Sequence, residues 1–156
     1  MEDRIFRDAM GKFATGITIV SMNDEDGNNI GMTVNAFMSV SLNPKLIAVS
    51  IDEKASMYDR LKETKQFGVS VLKEEQQDIS MIFAKQKEKD REIEFIDQNG
   101  VPVIKDALAT LSCETEQQAI AGDHLIIIAR VTDIEQQDGD PILYFGGNYR
   151  TINPND

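Results

Sequence analysis

The chain moves between two hydrophobic periods, and each change of period marks an element. In residues 2–14 the apolar side chains Ile5, Phe6, Met10 and Phe13 recur at helical spacing, which predicts a short amphipathic helix. After Gly16 the pattern becomes that of a strand, Ile17 to Met22. The polar run Asn23-Asp24-Glu25-Asp26-Gly27-Asn28-Asn29 then predicts a hairpin turn. From Phe37 the residues alternate, with Met38, Val40 and Leu42 on one face and Phe37, Ser39 and Ser41 on the other. That is the pattern of a half-buried strand with a polar second face. Asn43-Pro44 makes a turn, and Leu46 to Ile51 reads as a strand apolar on both faces. Ser56 reads as an N-cap, with Asp59 at the third helical position, opening a helix to about Lys65. A strand from Phe67 to Leu72 precedes a helix from Glu74 to Ala84, whose Ile79, Ile82 and Phe83 share one side. The charged run Lys85 to Glu94 reads as a loop. Three β segments follow, about Ala107 to Thr115, Leu125 to Ile134 and Pro141 to Phe145, with Asp138-Gly139 turning between the last two.

Strands outnumber helices, and short turns join most of them. The pattern predicts a mainly β chain, an antiparallel barrel closed or nearly so, with a few helices packed outside. A length of 156 residues suits one domain, 1–156, with a core of its own, and no repeat or low-complexity linker divides it.

Charge narrows the partners. Lys and Arg number 16 against 27 Asp and Glu, a formal charge of −11. Such a surface repels phosphate backbones and anionic lipid, so neither nucleic acid nor membrane is expected as a partner. A phosphate-bearing ligand must find its positive charge locally. The lone Cys113 excludes an intrachain disulfide and suits a reducing compartment. Met1-Glu2-Asp3-Arg4 is acidic with no apolar stretch behind it, unlike a signal peptide, and no apolar run approaches the ~20 residues that span a bilayer. The expectation is a cytoplasmic protein.

Much familiar chemistry is missing. There is no Gly-rich phosphate loop and no nucleophile elbow, and one histidine with one cysteine is too few for a zinc site. An enzyme on this chain needs a cofactor for its chemistry. Five places offer polar groups at the right kind of position. Asp52-Glu53-Lys54-Ala55-Ser56 lies between a strand and a helix, where Lys54 and Ser56 suit a phosphate, although capping is the commonest use of such a serine. Gly31-Met32-Thr33-Val34-Asn35-Ala36-Phe37 brings small and polar residues to the start of a strand, a surface on which a planar ring can lie or a plain solvent face. His124, after Ala121-Gly122-Asp123, sits at a barrel rim, where small barrels bind ligands. Phe83-Ala84-Lys85 ends a helix, with Phe83 equally suited to the core and Lys85 to the helix dipole. Gly146-Gly147-Asn148-Tyr149-Arg150 bends sharply and can lay Tyr149 over a neighbouring rim.

Taken together, the order of these segments carries a resemblance. Phe6-Arg7-Asp8-Ala9-Met10-Gly11-Lys12-Phe13-Ala14-Thr15-Gly16 opens it, and the run Gly31 to Pro44 is its most specific part. Val49-Ser50-Ile51, Phe83-Ala84, Gly100 to Ile104, Ala107-Leu108-Ala109, Leu111-Ser112-Cys113, Gly122-Asp123-His124 and Leu143 to Tyr149 complete it. The chain resembles the flavin reductase family of FMN-binding split barrels over about residues 4–150. Within it the chain looks closest to the reductase components of two-component flavin monooxygenases, of the phenol and 4-hydroxyphenylacetate hydroxylase type.

The resemblance implies a homodimer of six-stranded Greek-key split barrels with a few short flanking helices. It implies FAD or FMN as acceptor, NADH or possibly NADPH as donor, and delivery of reduced flavin to a partner monooxygenase. Carried over, Thr33, Val34, Asn35, Ala36, Phe37 and Ser39 face the flavin ring. Ser50, Ile51, Lys54 and Ser56 serve the ribityl and phosphate end, and Phe83, Ala84 and Lys85 close the far side. His124 and Tyr149 lie on the nicotinamide side. Hydride transfer needs stacked rings at roughly 3–3.5 Å, so the protein supplies orientation, and no catalytic acid, base or metal is expected. The alternatives are a tight FMN-binding electron carrier without nicotinamide-dependent activity and a dimeric binding module with no redox role, because split barrels also serve other chemistries. Gly122-Asp123-His124 favours the reductase, since a carrier needs no nicotinamide site.

Overall fold

A computed structural model describes residues 1–152. The expected domain reaches 156, and its last four positions lie outside the described residues. Helix α1 (Asp3–Met10) leads into β1 (Thr15–Gly16) and β2 (Thr18–Asn23). The acidic turn folds on one side chain: Asp24 Oδ1 accepts from the amides of Asp26 and Asn28, both at 2.9 Å, and Gly27 takes φ +82°. The chain returns as β3 (Asn29–Val34) and continues through β4 (Phe37–Ser41), β5 (Leu46–Asp52), α2 (Tyr58–Glu63) and β6 (Gln66–Val71). A 3-10 turn at Glu74–Gln76 precedes α3 (Gln77–Phe83), and the hairpin β7 (Phe95–Gln98) and β8 (Val101–Ile104) comes next. Two long strands, β9 (Ala109–Ala121) and β10 (His124–Gln136), precede the closing hairpin β11 (Ile142–Phe145) and β12 (Asn148–Thr151).

The main sheet has seven antiparallel strands in the order β3-β2-β6-β9-β10-β5-β4. This corrects the six strands that the resemblance implies: the return strand of the predicted hairpin, β3, and the following β4 are separate strands of one seven-stranded sheet. The barrel is also not closed. Its edge strands, β3 and β4, are consecutive in the chain but pair with β2 and β5 and not with each other. Among the described residues the link Asn35-Ala36 alone joins the two edges, and the Ser50 amide donates to the Ala36 carbonyl across 3.0 Å to hold it to β5.

Strand alternation builds the core. Leu125, Ile127 and Ala129 of β10 point inward beside Ile47, Val49 and Ile51 of β5, and around them lie Val20, Leu61, Phe67 and Val69. Each fully buried aliphatic or aromatic side chain contributes about 1.5–3 kcal/mol through burial. A second cluster, Ile17, Ile19, Leu72, Ile79, Ile104, Ala107 and Ile142, seats α3 and the closing hairpin against the sheet. The β7–β8 hairpin approaches β6 closely enough that a Cβ at Gly68 would collide with the Pro102 carbonyl, and Ser21 Oγ donates to that carbonyl at 2.6 Å.

Other expectations change as well. Helix α1 is shorter than predicted and buries none of its residues: Ile5, Phe6, Met10 and the following Phe13 are each more than half exposed. In β4 the faces are reversed. Phe37 packs on the core, while Met38, Val40 and Leu42 face out. The cap at Ser56 is absent, because α2 begins at Tyr58 after a turn, its N-cap position is Met57, and no side chain caps it. The helix predicted over 74–84 divides into the 3-10 turn and α3.

Candidate functional site

The seam is the most distinctive surface of the barrel. Asn35 and Ala36 belong to neither strand ladder, and among the described residues neither amide N–H has an acceptor. Next to them lies a mainly apolar cavity of about 610 Å³, lined by Met10, Gly11, Phe13, Thr15, Asn35, Ala36 and Tyr144. That volume falls within the range of small-molecule sites. Thr15 Oγ1 on its wall is buried and has no hydrogen-bond partner among the described residues. Unpaired donors, an orphaned hydroxyl and an apolar wall suit a planar heteroaromatic ring with polar edge atoms. A flavin ring therefore fits the residues present.

A smaller cavity of about 170 Å³ adjoins it through the shared walls Asn35 and Tyr144, and adds Ile17, Thr33, Ser80, Ala84, Gln86 and Tyr149. Here α3 meets β3 and β12. Thr33 Oγ1 donates to the Ser80 carbonyl at 2.7 Å, and Ser80 Oγ lies 2.9 Å from the Tyr149 hydroxyl. Tyr149 in turn donates to Gln86 Oε1 at 3.0 Å and packs edge-on against Tyr144, with ring centroids 5.4 Å apart. Phe83 turns away from this cavity's polar network. It packs edge-on against Phe95 and beneath Gly31. Lys85 follows the Ala84 C-cap with φ +60°, a left-handed conformation that costs a lysine on the order of 1 kcal/mol.

Strand β5 leads from the seam to the turn Asp52–Ser56. Ser50 is half-buried there, and Asp52 Oδ1 accepts from the Lys54 amide at 2.9 Å. Lys54 and Ser56 are exposed. His124 opens β10 directly opposite Asp52, and the Glu53 amide donates to the Asp123 carbonyl at 2.9 Å. His124 Nδ1 lies 2.8 Å from Asp123 Oδ1. The hydrogen bond from His124 holds the Asp123 carboxyl below the usual carboxylate range, and its charge together with that of Lys54 adds to the effect. Cys113 is core, its thiol pushed up to about 12 by burial, and takes no part.

The structure thus brings Thr33, Asn35, Ala84 and Tyr149 around one cavity, and Ser50, Lys54, Ser56 and His124 along one rim. Val34 and Ile51 bury their side chains in the core and offer only backbone to a ligand. Phe37 packs on the core, and Ser39 is exposed further along β4. His124 and Tyr149 belong to different sheets and share neither a hydrogen bond nor a cavity among the described residues. Thr15, Ser80, Gln86 and Tyr144 line the site although the sequence reading passed over them. One signal was available: Ser80 is the single polar residue inside the apolar run Ile79 to Phe83.

An open antiparallel barrel with unpaired amides at its seam and an apolar cavity beside them is the architecture of a split barrel, with space at the seam for a planar aromatic ring. The chain belongs to the flavin reductase family: the model of the flavin reductase like domain matches residues 10–153. It is 38% identical over 148 residues to an NADH-dependent flavin reductase of Rhodococcus sp, covering 94% of this chain and 84% of that one. It is 35% identical over 150 residues to the reductase component of 4-hydroxyphenylacetate 3-monooxygenase of Thermus thermophilus, covering 94% and 95%. Other relatives are longer, and the chain spans about half (49%) of a probable flavin reductase of Rhizobium meliloti. The solved structure of the flavin reductase PheA2 superimposes with a TM-score of 0.95 at 49% identity, covering 98% of this chain and 99% of that one.

Proposed function

We propose that the protein is an NADH-dependent flavin reductase that passes a hydride from NADH to FAD or FMN and supplies the reduced flavin to a partner monooxygenase. The seam carries this reading: two unpaired amides beside an apolar cavity with an orphaned hydroxyl are donors waiting for a ring with polar edges. The Rhodococcus relative named for this activity supports the donor and acceptor, and the Thermus relative supports an oxygenase partner. The lone buried cysteine and the use of NADH fit a cytoplasmic protein, and no helix among the described residues is long and apolar enough to cross a membrane.

The flavin, when bound, supplies the two-electron acceptor. Every other task belongs to the chain. The amides of Asn35 and Ala36, with Thr33, Val34, Phe37 and Ser39 around them, orient the ring and place donors where negative charge develops. Ser50 and the Ile51 backbone lead along β5 to Lys54 and Ser56, which hold phosphate. Ser56 is free for this because it caps no helix. Lys85 keeps a strained backbone that glycine would relieve, and among the described residues it forms no ion pair, whereas Lys87, Lys89 and Arg91 of the same loop all do. A cation held so suits an anionic ligand, with Phe83 and Ala84 forming the wall behind it. His124 and Tyr149 serve the nicotinamide side. Apolar faces left open on α1 and β4 fit pairing into a homodimer.

Absorbance at the nicotinamide band, followed with NADH before and after adding FAD or FMN, tests the activity. The expected result is oxidation that depends on flavin. Purified protein that retains FMN tightly and consumes no NADH would instead be an electron carrier, and the reductase reading would be lost.

A further inference from the structure

We infer that Ser80 is a positioning residue for NADH, fixing the Tyr149 phenol through a buried hydrogen bond while its own backbone holds the flavin-facing strand. Ser80 has no exposed surface and lies in the middle of α3. A serine inside a helix ordinarily turns its hydroxyl back to the carbonyl one turn earlier. Here the hydroxyl reaches out of the helix instead, to Tyr149 on the last strand, 2.9 Å away and 69 residues on.

The protons fix the direction of that bond. A phenol has one proton, and Tyr149 gives it to Gln86 Oε1 at 3.0 Å. Ser80 must therefore donate to the Tyr149 oxygen, and the phenol is held by two bonds, one from the middle of α3 and one from the turn that closes it. The tyrosine has only two side-chain torsions, so a two-point anchor at its tip restricts how the ring sits against the cavity. The same serine accepts the Thr33 hydroxyl with its carbonyl at 2.7 Å. One buried residue thus sets the spacing between the strand that faces the flavin and the ring that faces the nicotinamide. The two roles use different atoms. Truncating the side chain removes the Tyr149 anchor and leaves the carbonyl that holds Thr33.

The inference rests on Tyr149 serving the nicotinamide side, and the test separates the two. Ser80→Ala, Tyr149→Phe and the double variant are compared for NADH kinetics, flavin affinity and melting temperature. Ser80→Ala is expected to raise KM for NADH roughly 2- to 12-fold, the loss of one hydrogen bond, with kcat and flavin affinity within about twofold of the parent. Added to Tyr149→Phe, it is expected to raise KM no further, because the bond it removes is already gone. A purely structural serine would act equally in both backgrounds, and that outcome overturns the inference. So does an unchanged KM in Ser80→Ala when Tyr149→Phe alone raises it. An unchanged KM in Tyr149→Phe removes the tyrosine from the donor site and the inference falls with it. If Ser80→Ala melts early, the near-isosteric Ser80→Cys, a much weaker donor, takes its place in the cycle and is read by the same outcomes.

Discussion

At His124 the ring nitrogen Nδ1 faces the Asp123 carboxylate at 2.8 Å, and that carboxylate is held ionised by the contact. An ionised carboxylate only accepts, so Nδ1 carries a proton and Nε2 is left for a ligand. Lys54 is exposed and its side chain forms no ion pair or hydrogen bond among the described residues, and the proposed function gives it the phosphate. On that proposal the two residues contribute to different affinities although they share a rim. His124→Ala is expected to lower kcat/KM for NADH roughly 2- to 12-fold while flavin affinity holds. Lys54→Ala is expected to weaken flavin binding and leave turnover at saturating flavin largely intact, since a contact remote from the reacting rings changes binding and not the barrier. Flavin fluorescence titration and NADH kinetics on both variants check this. A loss of flavin affinity in His124→Ala with NADH unaffected would place the histidine with the phosphate group instead. Residue types such as these were legible in the sequence because formal charge and hydrogen-bonding groups belong to the residue itself. The orphaned hydroxyl of Thr15 and the Tyr149 partner of Ser80 were not, since such arrangements exist only once distant strands meet, although the polar Ser80 inside an apolar run was a signal.

Among the elements, α3 and the charged loop after it show how much depends on one contact. Asp78 in the first turn of α3 meets Arg91 across the loop, and Arg91 also approaches Asp90 at 3.6 Å. Partial burial raises the Asp78 pKa, but the hydrogen bond and charge of Arg91 outweigh it, so the carboxyl titrates below its ordinary value. A carboxyl lowered by folding contributes stability above its unfolded pKa and loses it as pH falls through the folded value. Asp78→Asn is thus expected to melt about one to a few degrees below the parent at neutral pH, the effect of a bridge worth ~0.2–1 kcal/mol in a protein of this size. The difference is expected to shrink to nothing in acid. Melting curves across pH 2–7 decide it, and a gap that persists at the acid end assigns the effect to packing. Periodicity located α3, β2, β5, β6 and β10 because each has a clear buried face. It did not locate the β7–β8 hairpin, where Ile96 points to solvent and Pro102 interrupts the pattern. It also set the α2 start too early, because Ser56 has the composition of a cap while the chain turns once more before the helix.

For the whole molecule, the main discrepancy between pattern and structure concerns exposed apolar surface. The sequence showed that α1 and β4 each have an apolar face, but whether a face is covered depends on everything else in the fold. Ile5, Phe6, Met10 and Phe13, and Met38, Val40 and Leu42, find no cover among the described residues. Scattered single residues would need no explanation, but two whole element faces do. A second copy of the chain is the simplest cover, and a two-fold pairing needs about 800 Å² from each subunit for stability. The charge of −11 on each copy opposes that pairing, so hydrophobic contact must outweigh a repulsion that salt screens. Sedimentation at micromolar protein is expected to give twice 17.5 kDa, and dimerisation is expected to tighten as salt rises, the reverse of an interface held by ion pairs. Met38→Glu combined with Leu42→Glu places two unpaired carboxylates on the β4 face and is expected to yield a monomer that still unfolds cooperatively but melts lower than the dimer, if that face lies in the contact. A parent that sediments as a monomer at every salt concentration leaves both faces for a different partner and removes the dimer from the account. A dimer unaffected by the double variant moves the contact to α1.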